Sequence, residues 1–90
     1  MRESELQKKI KERLMKSGWS VIKLIQTNCN GIPDLMCIRK GTVMFLEVKT
    51  EKDIVAPLQE KRIAELNKHG VFAKVVRAVE DVDIFCYKGV

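Results

Sequence analysis

The sequence predicts an α/β protein of order αβββαβα, in which a mixed sheet is flanked by helices. Three observations carry this. Leu6, Ile10 and Leu14 recur every four residues among lysines and arginines, the pattern of an amphipathic helix. Gly31 to Thr50 (GIPDLMCIRKGTVMFLEVKT) reads as two apolar strands around a short polar turn. A helix then separates the second of these strands from the β-rich VFAKVVR, and such a βαβ unit sets its two strands in parallel.

In chain order, residues 1–17 form the first helix, with Gly18 as its stop. At ~100° per residue, Glu3 projects close to the centre of the apolar stripe and Glu5 well away from it. Trp19 to Thr27 (WSVIKLIQT) alternates and is β-rich, so it reads as a strand, followed by the polar turn Thr27–Gly31. Proline donates no ladder hydrogen bond, so Pro33 belongs at the mouth of the next strand and fixes how Asp34 enters it. The run Asp34–Ile38 makes that strand, Arg39–Thr42 the turn, and Val43–Val48 the return. Side chains alternate faces, so Val43, Phe45, Glu47 and Lys49 share one face and Met44, Leu46 and Val48 the other. Pro57 suits the start of a second helix over 56–68, with Leu58, Ile63 and Leu66 as its stripe, Gln59 inside that stripe and His69-Gly70 at its end. Val71–Arg77 is a further strand, and Glu80–Tyr87 a short acid-led helix.

The 90 residues are read as a single stand-alone domain, 1–90, of ordinary globular composition, 46% hydrophobic and 32% charged. No apolar run approaches the ~20 residues of a membrane span and the N-terminus is charged, which points to the cytoplasm and away from a membrane. The three cysteines lack metal-type spacing and are read as reduced. A net charge of +5 is compatible with a polyanionic partner or with a merely solvated basic surface.

The chemistry is concentrated in the hairpin. Asp34 and Glu47 lie equally far from a turn centred between Lys40 and Gly41, so the two carboxylates face each other across the pair. Facing carboxylates repel unless a cation sits between them. Magnesium takes oxygen ligands and is commonly held by one or two carboxylates. Lys49, on the same face as Glu47, is placed to hold a water. Each residue also has a plain structural reading: a Glu47–Lys49 surface pair, a first-turn Glu3 complementing the helix dipole, a Gln59 capping a backbone group. The combination of all of them in one place favours a site.

The ordered set Gly31-x-Pro33-Asp34, Glu47-Val48-Lys49 and Gln59 resembles the PD-(D/E)-x-K nuclease superfamily, and more narrowly its VRR-NUC (virus-type replication-repair nuclease) domain. The Glu3-Ser4 helix ending at Gly18, and the closing Val75-Val76 with Glu80-Asp81-Val82, also fit, so the resemblance spans almost the whole chain. It implies a restriction-endonuclease-like core and a divalent-metal-dependent phosphodiesterase acting on DNA, with Mg²⁺ as cofactor, Mn²⁺ as its substitute and no small-molecule cofactor. Asp34, Glu47 and the Val48 carbonyl would be metal ligands, and Lys49 would orient the attacking water. Glu3 would match the family's helix glutamate, with Glu5 the other candidate for that role, and Gln59 the family glutamine. Many members carry a further acid where this chain has Gln7, which bears on a second metal more than on the first. The acids repel DNA, so phosphate contacts fall to Lys8, Lys16, Lys23 and Lys61, with Lys9, Lys11, Arg13, Arg62, Lys68 and Lys74 as further candidates. Resemblance to stand-alone members, of the kind found in phages and bacteria, further implies a homodimer cutting branched DNA such as four-way junctions. The competing readings are a non-cleaving DNA-binding accessory protein and a nuclease acting on simple duplex or flap DNA.

Overall fold

In a computed structural model, residues 1–86 are described, and Tyr87, the last residue of the expected closing helix, lies outside them. Helix α1 (Glu3–Lys16) is followed by strands β1 (Ser20–Lys23), β2 (Leu35–Arg39) and β3 (Thr42–Val48), helix α2 (Pro57–Lys68), strand β4 (Phe72–Val76) and a 3₁₀ helix (Val79–Phe85). The sheet order is β1-β2-β3-β4, antiparallel at the first two pairings and parallel at the third. The expected αβββαβα order and mixed sheet are therefore present, the closing helix being of the tighter 3₁₀ kind.

The hairpin turn is two residues, Lys40 and Gly41, both with positive φ (49° and 80°). That geometry matches the right-handed twist of the flanking strands and fixes the register. The register pairs Leu35 with Leu46, so one step further along Asp34 comes opposite Glu47.

The first expected strand is shorter than its apolar run. Pairing ends at Lys23–Leu35, and after the single bond from the Leu24 N–H to the Asp34 carbonyl (2.8 Å) the chain leaves the sheet. Continuing the ladder would set Ile25 against Pro33, which has no N–H to give. Residues 24–34 consequently form a long loop at the end of the sheet where β3 and β4 also finish.

One face of the sheet carries the core. Leu35, Cys37, Met44, Leu46, Val48 and Val76 pack with Leu6, Ile10 and Leu14 of α1, with Trp19 and with Val82 of the 3₁₀ helix. The opposite face, which includes Phe45 and Glu47, is covered by α2 near β4. There the Asn67 side chain both donates to the Ala73 carbonyl (3.2 Å) and accepts from its N–H (3.0 Å). No residue of α2 is fully buried, and toward β1 this face stays partly open, with Ile22 43% and Val43 38% exposed. Leu58, expected in the α2 stripe, is 39% exposed; Ile63 and Leu66 are half-buried. Among the described residues, no helix is long and apolar enough to cross a membrane.

Candidate metal centre

The end of the sheet at which β3 stops is where the sequence-predicted acids meet. Glu3 comes from the first turn of α1, Asp34 from the mouth of β2 and Glu47 from the last part of β3. One carboxylate oxygen of each lies within 4.8 Å of the others, and no other such group of metal-ligating side chains occurs among the described residues. Glu5, the alternative to Glu3, is exposed and outside the cluster.

Glu47 is the centre of this arrangement. It is 1% exposed, while Asp34 and Glu3 are half-buried. Its Oε2 accepts a hydrogen bond from Gln59 Nε2 (2.9 Å) and lies 3.7 Å from Lys49 Nζ. Its Oε1 has no hydrogen-bond partner among the described residues. Burial, and next the Asp34 charge, push Glu47 up to about 7, with Lys49 pulling the other way and Glu3 adding to the rise. A buried carboxylate with an orphaned oxygen, beside two further acids, has the chemistry of a cation site: the donors are all oxygen and suit a hard ion such as Mg²⁺.

The surrounding chain holds these groups in place. Asp34 Oδ2 accepts from the Val48 N–H (3.1 Å), tying the mouth of β2 to the strand that carries Glu47. Gln59 meets both readings open from the sequence: Oε1 accepts from the Ala56 N–H (3.1 Å) as a helix cap, while Nε2 reaches Glu47. Pro57, the first residue of α2, has the fixed φ that suits a helix start, two residues before Gln59. The Lys49 N–H donates to the Val76 carbonyl (3.0 Å), and Arg77 Nη1 donates to the carbonyls of Thr50 and Asp53 (2.8 Å each). Arg77 thus pins the loop that follows Lys49, a role that no local sequence pattern announced. Gly31 (φ +82°) packs so closely on Leu58 that a Cβ there would stand 2.9 Å from Leu58 Cγ. The GIPD run is therefore shaped at both its glycine and its proline.

The candidate DNA contacts Lys8, Lys16, Lys23 and Lys61 are all exposed, and none forms an ion pair among the described residues. None joins the acid cluster; of the lysines among the described residues, only Lys49 pairs with one of its acids. His69 is the C-cap of α2, away from the acids in role, and the cysteines are free thiols.

A buried Glu47 flanked by half-buried Asp34 and Lys49 at the end of a mixed sheet, with a helix acid and a glutamine closing it, is the arrangement expected of a restriction-endonuclease-like nuclease. Comparison with known proteins agrees. Residues 1–80 match the VRR-NUC domain family, so the chain belongs to that family of nucleases. A solved VRR-NUC domain superposes with a TM-score of 0.83 and 31% identity, covering 98% of this chain and 97% of that one. Hjc, a Holliday junction resolvase from the archaeal hyperthermophile Archaeoglobus fulgidus, shares the fold at a TM-score of 0.63 and 20% identity, over 83% of this chain and 67% of its own. No curated protein matches the sequence significantly.

Proposed function

We propose that this chain is a divalent-metal-dependent endodeoxyribonuclease that hydrolyses phosphodiester bonds in branched or structured DNA such as four-way junctions. Glu3, Asp34, Glu47 and the Val48 carbonyl would hold Mg²⁺, with Mn²⁺ as a substitute. The observation that carries this reading is the fully buried Glu47, whose Oε1 has no partner and whose neighbours include two more carboxylates. An arrangement that repels itself in the empty state is stabilised by a cation.

When bound, such an ion polarises a phosphate oxygen and lowers the pKa of a water beside it. The protein's own groups do the rest. Lys49, whose Nζ lies 3.7 Å from Glu47 Oε2, would donate to the attacking water and offset charge that develops on the phosphate. Gln59 fixes the Glu47 carboxylate through Oε2, which would leave Oε1 for the ion. Lys8, Lys16, Lys23 and Lys61 contact phosphates along the strand and make affinity fall with salt. Few aromatics are available to stack on bases, which favours reading of backbone and shape over sequence. The junction reading draws on a resolvase that shares this fold, and the homodimer reading on the partly open β1–β2 side of the sheet, which leaves apolar surface for a second copy.

The test is a panel of labelled single strand, duplex, flap and four-way junction, incubated with Mg²⁺, Mn²⁺ or EDTA. Cleavage of the junction in Mg²⁺ and Mn²⁺, absent in EDTA and absent for Lys49→Ala, is expected. Binding without cleavage of any substrate would favour the accessory-protein reading, and equal cutting of duplex or flap would remove the junction preference.

A further inference from the structure

Two isoleucines stand out on the loops that border the acid cluster. Ile25 is 87% exposed and Ile54 is 86% exposed, the most exposed large hydrophobic side chains among the described residues. Single exposed apolar residues are ordinary. These two share a setting that is not. Ile25 follows Leu24, whose N–H is bonded to the Asp34 carbonyl at 2.8 Å. Ile54 follows Asp53, whose carbonyl is pinned by Arg77 at 2.8 Å and whose side chain accepts from Thr50 Oγ1 at 2.6 Å. Both are thus held on anchored backbone, Ile25 next to the residue bonded to Asp34 and Ile54 a few residues after Lys49, and neither has a core to enter. Each also comes two residues after an exposed lysine, in Lys23-Leu24-Ile25 and Lys52-Asp53-Ile54. The same lysine-x-isoleucine unit therefore occurs on two loops at the same end of the sheet, one joined to β2 and the other leaving β3. Ile25 rims a hollow of about 270 Å³, and on the other loop Lys52, though not Ile54, lines one of about 460 Å³.

A cation paired with a rigid apolar side chain matches the two parts of a nucleotide, phosphate and base face. Branched aliphatic side chains that enter DNA do so between base steps, where they partly unstack them. The steps that yield most readily are those already unstacked, as at a branch point. We propose that Ile25 and Ile54 are DNA wedges: they enter opened base steps at the end of the sheet that carries the metal site, while Lys23 and Lys52 hold the adjoining phosphates, and they give the enzyme its preference for branched over continuous duplex DNA. This rests on the reading of the site as a DNA nuclease and adds the residues that select its substrate.

The readout is kept apart from the chemistry. Four-way junctions carrying 2-aminopurine at the exchange point are bound by Asp34→Asn protein, with or without Ile25→Ala and Ile54→Ala. Unstacking by the isoleucines brightens the probe several-fold, and the double alanine change abolishes that rise, whereas Ile25→Leu with Ile54→Leu keeps it. In the otherwise unaltered protein the double alanine change lowers kcat/KM on the junction about tenfold while nicked duplex is cut within about twofold of wild type. Both residues are exposed, so an unchanged melting curve confirms that the fold is intact. Equal brightening with isoleucine and alanine, or an unchanged junction preference, overturns the proposal. So does conversion of a wild-type dimer to monomer by the double alanine change in sedimentation velocity, since the isoleucines would then be contacts with a second copy of the chain. If no substrate is cut by wild-type protein but the probe responds as described, the wedge stands and the nuclease reading falls.

Discussion

Gln59 Nε2 donates to Glu47 Oε2 across 2.9 Å, joining a helix and a strand that are separated by the whole Lys49–Ala56 loop. The bond leaves Oε1 as the one buried side-chain oxygen without a partner among the described residues. Gln59→Ala removes it and leaves Glu47 held only by Lys49. Loss of such a bond to a buried carboxylate costs on the order of 1–3 kcal/mol, so the variant should melt several degrees lower. Its Mg²⁺ requirement, measured as the half-saturating concentration for cleavage, should rise several-fold. An unaltered metal requirement would show that Gln59 serves only as the cap of α2.

The raised Glu47 value makes stability depend on pH in a particular direction. The group goes from an ordinary 4.5 to about 7 on folding, through burial first and Asp34 second. Its folded form therefore holds a proton more tightly than its unfolded form. That contribution is complete below about 4.5 and is lost as pH rises through about 7, and its size is on the order of 3 kcal/mol at most. In EDTA, the difference in melting temperature between wild type and Glu47→Gln should grow in favour of the variant from pH 5 to pH 8. Mg²⁺ should raise the wild-type melting temperature progressively over the same range, because the ligand must be ionised, and leave Glu47→Gln unmoved. A pH-independent difference would contradict the account.

Gly31 and Gly41 offer a paired test of backbone shape. Both have positive φ, +82° and +80°, but a Cβ at Gly31 meets Leu58 Cγ at 2.9 Å and its carbonyl oxygen at 3.0 Å, whereas nothing lies within 4 Å at Gly41. Gly41→Ala should cost about 1 kcal/mol of unfolding free energy from conformation alone. Gly31→Ala should cost about 2–3 kcal/mol and lower kcat, since it shifts the loop that delivers Asp34. Urea unfolding of the two variants decides between them; equal losses would mean that the packing on Leu58 is unimportant.

Arg77 makes its prediction through the β3–α2 loop. Arg77→Ala removes both bonds to the Thr50 and Asp53 carbonyls. Amide exchange at residues 50–55 should speed up by about tenfold, and kcat should fall more than KM rises, because Lys49 loses its fixed aim while the lysines proposed to contact DNA are untouched. Arg77→Lys cannot hold two carbonyls with one planar group and should recover only part of the loss. Exchange rates equal to wild type would remove Arg77 from the site's support.

Much of this was legible along the chain, for identifiable reasons. A two-residue turn at Lys40-Gly41 leaves a single register, so symmetry about it correctly set Asp34 against Glu47. Helical angle separated Glu3 from Glu5, and the structure puts Glu3 with the acids. The end of β1 was not legible, because Leu24 to Thr27 is as apolar and β-rich as a strand and what stops it is a missing donor at Pro33 on another segment. The Arg77 clamp escaped for the same reason: its partners are carbonyls, which every residue has. Gln59 was placed correctly but with its two roles as alternatives, and its long side chain performs both.

The central claim is that a divalent ion belongs among Glu3, Asp34 and Glu47. The most direct measurement is the anomalous difference map of crystals of the wild-type protein grown with Mn²⁺ at pH 8. The account predicts a peak bonded to Asp34, Glu47 and the Val48 carbonyl at about 2.1–2.2 Å, with Glu3 at or near bonding distance, and no such peak for Asp34→Asn. A map with no peak at these carboxylates, or with manganese bound only elsewhere on the surface, would contradict it.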